Sequence, residues 1–168
     1  MQPHETIQLV LQDHHHVDAA QKFAQHDLLI HVAAAAELAH ERAVAVYQQA
    51  AQAPGLQVVG IDCHIGSQIT EVTPYLDAMD RMLDLVEAIE AAGVPIAHLD
   101  FGGGLGIDYQ GDQPPAADAL WAQLLAKLDA RGHGHRMLMV EPGRSLVGNA
   151  GVCLTEVLYT KPGSSKNF

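Results

Sequence analysis

The fold is decided between residues 56 and 106, LQVVGIDCHIGSQITEVTPYLDAMDRMLDLVEAIEAAGVPIAHLDFGGGLG. The stretch opens on a short apolar run, Leu56 to Asp62, rich in Val and Ile, which reads as a buried β-strand. A polar turn follows, Cys63-His64-Ile65-Gly66-Ser67-Gln68. Thr73 to Ala92 then reads as a helix. Thr73 is placed to cap it and Pro74 to occupy its first position. Leu76, Met79, Leu83, Val86 and Ile89 recur at the spacing of one apolar face. Gly93 and Pro95 stop it. Ile96 to Phe101 reads as a second strand and runs at once into Gly102-Gly103-Gly104-Leu105-Gly106.

The same rhythm extends outward. Upstream, Glu37 to Gln52 is Ala-rich and reads as helix, stopped by Pro54-Gly55. Downstream, Ala116 to Arg131 puts Leu120, Leu124 and Leu128 on one helical face. Met137 to Val140 reads as a third strand, leading into Glu141-Pro142-Gly143-Arg144-Ser145, and Gly151 to Tyr159 as a fourth. Strands and helices alternating at this period predict an α/β fold with a parallel sheet. Residues 1–36 stand apart. Histidines crowd the beginning of the chain, at His4, His14, His15, His16, His26, His31 and His40. Without a clear hydrophobic period, this segment is expected to be irregular, to hold no strand, at most a helix around Val17 to Ala36, and to add little to the fold.

Composition narrows the function. The chain has 168 residues with 9 Lys and Arg against 20 Asp and Glu, a formal charge of −11. Such a balance argues against nucleic acid and anionic membrane as partners. With 48% hydrophobic and 17% charged residues the chain can bury a core. Cys63 and Cys153 imply no disulfide framework and point to a reducing compartment, hence a cytoplasmic location. No transmembrane run and no secretory signal are visible.

Three strands each end in an unusual turn. Parallel strands point the same way, so the three turns should gather on one rim, where α/β folds place their sites. The glycine-rich turn lets backbone N–H groups approach an anion, although alone it reads equally as a flexible loop. Its spacing fits neither a dinucleotide-binding fingerprint nor a P-loop. In Glu141-Pro142-Gly143-Arg144 the Arg suits a phosphate or carboxylate and the Glu a protonated ring nitrogen; the plainer reading is a local ion pair. His64 suits a structural hydrogen bond or stacking on an aromatic cofactor, and the Ser67 hydroxyl can bond a phosphate. No nucleophile elbow surrounds Ser67 or Ser145. The adjacent histidines 14–16 lack the spacing of a metal site, so no metal is expected.

Taken together, His64-Ile65-Gly66-Ser67-Gln68, Leu99 to Gly106 and Glu141-Pro142-Gly143-Arg144 resemble, in order and spacing, the diaminopimelate decarboxylase family of pyridoxal-phosphate enzymes with the alanine-racemase-like fold. The resemblance runs from about Glu37 to Phe168. It implies a partial (β/α)8 barrel over 37–159, with 160–168 beginning the linker to a β domain that is missing here. It implies pyridoxal 5'-phosphate as cofactor, an amino-acid substrate, a homodimeric parent and conversion of meso-diaminopimelate to L-lysine and carbon dioxide. By the same resemblance His64 would stack on the ring. Ser67, Gly102, Gly103, Gly104 and Gly143 would hold the phosphate, Glu141 would pair with the ring nitrogen, and Arg144 would contact cofactor and substrate. The family's cofactor-binding Lys has no match: Lys22, Lys127, Lys161 and Lys166 stand in other contexts, so no catalytic residue is identifiable and the chain alone is expected to be inactive. The alternatives are a non-catalytic chain that keeps a cofactor-binding rim, or an ornithine or arginine decarboxylase of the same fold.

Overall fold

Nine residues of largely apolar character, Leu56 to His64, form the strand on which the fold is built; its middle six are buried. The computed structural model describes residues 6–13, 29–32 and 40–163. In chain order the elements are β1 (Thr6–Asp13), β2 (Leu29–Val32), α1 (His40–Gln52), β3 (Leu56–His64), α2 (Thr73–Ala91), β4 (His98–Asp100), α3 (Ala117–Ala130), β5 (Met137–Met139) and α4 (Arg144–Val147). They build one sheet in the order β2-β1-β3-β4-β5. Three of the strands read from the sequence pair in parallel, Gly60 to Asp62 beside His98 to Asp100, and these beside Met137 to Met139.

The helices cover one face. Ala43 and Tyr47 of α1, Met79, Leu83, Val86 and Ile89 of α2, and Leu120, Leu124 and Leu128 of α3 join Ile61, Cys63 and Leu99 of the strands in a single core. Removal of this apolar surface from water is the main driving force for the packing. The Tyr47 hydroxyl, buried with the core, donates to the Gly60 carbonyl at 3.2 Å. No helix among the described residues is long and apolar enough to cross a membrane.

Four expectations are corrected. Residues 1–36 do contain strands: β1 runs antiparallel along the whole of β3, from Thr6 beside His64 to Asp13 beside Leu56, and β2 pairs antiparallel with β1. The alternation of Ile7, Leu9 and Leu11 with Gln8 and Gln12 carries this signal, which the histidine-rich neighbourhood obscures. The helix expected over 17–36 gives way to β2 at 29–32, and its other residues lie outside the described ones. Gly151 to Tyr159 forms no strand. It pairs with no strand among the described residues, and Val152, Leu154, Leu158 and Tyr159 lie exposed. Thr73 is the first residue inside α2 and not its cap; Val72 holds that position and caps with no side-chain bond.

An ionic seam ties α2 to α3 and the loop after it. Lys127 pairs with Asp80, and Arg131 with Asp84 at 2.8 Å and Glu87 at 2.7 Å. Arg136, its side chain 7% exposed, donates to both oxygens of Glu90, at 2.9 and 2.8 Å, to His133 at 2.9 Å and to the Ile96 carbonyl. The Arg136 hydrogen bond holds the Glu90 carboxyl below the usual carboxylate range. A lowered folded value means that this stability is present above the ordinary carboxylate pKa and is lost as pH falls through the folded one. Arg136→Ala should cost about 2–3 kcal/mol by urea denaturation and flatten the acid limb of the stability profile. An unchanged midpoint would contradict the assigned role.

Candidate functional site

The parallel strands deliver three turns to one rim. β3 ends at His64, β4 runs into Gly102, and β5 is followed by Glu141. Backbone contacts fasten them together. The Glu141 N–H donates to the Gly102 carbonyl at 2.7 Å, and the Phe101 N–H to the Met139 carbonyl at 3.1 Å. The glycines allow the approach. A Cβ on Gly102 would lie 2.6 Å from the Cys63 carbonyl oxygen and 3.3 Å from His64 Nδ1. On Gly103 it would overlap the Glu141 carbonyl, and on Gly104 the Gly66 carbonyl. The glycine-rich turn is thus wedged between its two neighbours and is no loose loop. The Tyr75 hydroxyl donates to the Gly103 carbonyl at 3.2 Å, and burial pushes this phenol up to about 12.

Side chains join the first turn to the third. Arg144 donates through Nη2 to Ser67 Oγ at 2.9 Å and through Nη1 to the Tyr109 hydroxyl. Its guanidinium lies 5.6 Å above the Tyr109 ring centroid, within range of a cation–π contact. Arg144 Nε is buried with no partner among the described residues. His64, Ser67, Glu141 and Gly143 are exposed, while Arg144, Gly103 and Gly104 are half-buried. The turn's amides divide by use. Gly102 N–H donates to Asp100 Oδ1 at 2.8 Å and Gly106 N–H to the Ile69 carbonyl at 3.0 Å. The Gly103 and Gly104 N–H groups have no acceptor among the described residues. A Cβ on Gly143 would meet open space. The structure therefore brings His64, Ser67, Gly102, Gly103, Gly104, Glu141 and Arg144 into three adjoining turns, with Gly143 in the third.

Sequence reasoning missed two participants. Tyr109 lies beyond the glycine-rich turn and belongs to no motif. Asp62 sits in an apolar strand, and the register explains it: Asp62 pairs with Asp100 across β3 and β4, so both carboxyls project from the same face of the sheet. Asp62 is 1% exposed, and its Oδ1 has no partner among the described residues. Burial pushes its carboxyl up to about 7, with the Asp100 and Glu141 carboxylates adding to the shift. For an acid raised in the folded state, stability is full below the unfolded pKa of about 4 and is lost as pH climbs to about 7. Asp62→Asn should abolish that slope and stabilise the chain at pH 8, by about 1–2 kcal/mol once solvent screening is allowed for. Parallel stability profiles for the two proteins would contradict it.

Residues 17–148 match the family described as pyridoxal-dependent decarboxylase, pyridoxal binding domain. The chain belongs to this family. It is 49% identical over 131 residues to a diaminopimelate decarboxylase of Neisseria meningitidis serogroup A, covering 78% of this chain and 32% of that protein. It is 47% identical over 132 residues to a diaminopimelate decarboxylase of Pseudomonas aeruginosa, covering 78% and 31%. The crystal structure of diaminopimelate decarboxylase from Helicobacter pylori, complexed with L-lysine, matches with a TM-score of 0.60 at 27% identity, over 76% of this chain and 31% of that one. The chain thus spans about a third of the length of the curated relatives it matches. The match to that crystal structure is a match of fold, and in this chain the fold is an α/β unit in which β3, β4 and β5 run parallel.

Proposed function

We propose that this chain is the pyridoxal-phosphate-binding portion of a diaminopimelate decarboxylase, acting on meso-2,6-diaminopimelate to give L-lysine and carbon dioxide. The observation that carries the reading is the union of three motif-bearing turns in one rim, bridged by Arg144 and Ser67. The relatives named above support the substrate. On this reading β3, β4 and β5 are consecutive strands of a (β/α)8 barrel, the whole protein is a cytoplasmic homodimer, and residues 37–159 are its barrel portion.

The residues suit the cofactor. Two unengaged amides, a hydroxyl and an Arg with an unpartnered Nε make a donor set for a phosphate dianion, and the glycines leave it room. Ser67 Oγ and the amides of Gly103 and Gly104 would donate to the phosphate, with Gly143 lending open space beside them. Gly102, its amide held by Asp100, would contribute close packing. His64, exposed at the end of β3, would lie flat on the ring. Glu141 would accept from the ring nitrogen and keep it protonated. The cofactor, when bound, supplies an electron sink for the carbanion left as carbon dioxide departs. Arg144 would exchange its Ser67 and Tyr109 partners for a carboxylate or phosphate oxygen, keeping its charge compensated throughout.

The test is a chimera. Residues 37–148 should replace the corresponding segment of the Neisseria relative and sustain carbon dioxide release from meso-diaminopimelate, with ornithine and arginine at least about a hundredfold slower. A chimera that prefers ornithine or arginine would contradict the substrate assignment.

A further inference from the structure

We propose that Gln68 is a positioning residue, a clasp whose side-chain amide holds the glycine-rich turn in register with the rest of the rim. Its backbone lies at φ +57°, the only left-handed non-glycine residue among those described. That region is costly for a side chain, and persists where surrounding structure imposes it. A glycine would sit there without strain, so the side chain must return something for the conformation it occupies. What it returns is visible. Nε2 donates to the Ile107 carbonyl at 2.7 Å, and Oε1 accepts from the Ile107 N–H at 3.2 Å. One primary amide thus satisfies both backbone groups of one residue, as a neighbouring strand would.

The next residue continues the seam in backbone. The Ile69 N–H donates to the Gly104 carbonyl at 2.9 Å and the Ile69 carbonyl accepts from Gly106 at 3.0 Å, an isolated parallel bridge between Ile69 and Leu105. Four hydrogen bonds therefore stitch 68–69 to 104–107. Ile107 carries the connection onward. It is buried, and its Cδ1 would stand 2.6 Å from a Cβ on Gly148, the residue that closes the short helix begun by Arg144. Ser67, adjacent to Gln68, accepts from Arg144. A single side chain thus touches the first turn and the second, and through Ile107 it bears on the third. The turn it steadies presents the Gly103 and Gly104 amides.

The test uses the 168-residue chain and two variants. Gln68→Gly removes the amide and relieves the backbone; Gln68→Glu keeps length and the acceptor for Ile107 N–H but sets a carboxylate against the Ile107 carbonyl. In Gln68→Gly, amide hydrogen exchange at Ile107 and Gly106 should quicken by about tenfold or more, with the amides of Leu83 and Leu124 unchanged. Affinity for pyridoxal phosphate, followed by visible absorbance, should fall by about tenfold in both. The thermal midpoint of Gln68→Gly should stay within about 2 °C of the parent. Unchanged exchange at Ile107 would overturn the clasp. Faster exchange with undiminished affinity would overturn its bearing on the rim. The affinity readout rests on the proposed function. A parent chain that binds no pyridoxal phosphate refutes that function, and the exchange rates still decide the clasp.

Discussion

Gly104→Ala should cost about 3–5 kcal/mol, much of the stability of an ordinary domain. Gly104 sits at φ +92°, and an added Cβ would overlap the Gly66 carbonyl oxygen and stand 3.1 Å from Ile69 Cδ1. The obstacle is backbone of the neighbouring turn, which cannot rotate aside as a side chain would. The turn would have to move, breaking the Ile69–Gly104 and Gly106–Ile69 hydrogen bonds together. Gly55→Ala provides the control. It has a similar φ of +78° but open space around it, so it should lose only about 1 kcal/mol. Urea denaturation of both variants distinguishes strain from collision. Equal losses would mean that the turns are not pressed together as described.

The second large effect is on turnover. The 168-residue chain, saturated with pyridoxal phosphate, should release carbon dioxide from meso-diaminopimelate at least about a thousandfold more slowly than a full-length relative. On the proposed function the rim has groups to orient a phosphate and a ring, but no Lys in the sequence matches the cofactor-binding context that the family resemblance implies. Of the described lysines, Lys127 is committed to Asp80 and the Leu76 carbonyl, and Lys161 lies in the exposed segment that follows Gly151. Without a covalent anchor, positioning is lost, and positioning accounts for several kcal/mol of such a barrier. Turnover within about tenfold of the relative would mean that a lysine in another context reaches the rim.

How far the sequence revealed this differs from element to element. The helical face of Met79, Leu83, Val86 and Ile89 and the strand from Leu56 to Asp62 were legible, the helix by its strong period and the strand by its apolar run, although the strand continues to His64. The rim was legible because each polar turn directly follows a strand. Strand pairing was not. Thr6–Asp13 is marked only by a short alternation and is stabilised by β3, which lies far along the chain. Gly151 to Tyr159 alternates comparably and pairs with no strand among the described residues. Local pattern states which face a residue prefers, while pairing depends on which edge is free. The buried carboxylate pair escaped notice for a related reason. Asp62 reads as the polar end of a strand until the parallel register sets it beside Asp100. Gln68 likewise looked like the tail of a motif, and only the folded turn shows its amide spanning Ile107.

The central claim is that three turns form one cofactor rim, and a hydrogen-exchange footprint tests it most directly. Exchange of the 168-residue chain should be compared with and without saturating pyridoxal phosphate. The account predicts new protection in three separate stretches, 64–68, 102–107 and 141–144, with no change in α2 or α3. Protection of one stretch alone, or of residues elsewhere in the sheet, would contradict it.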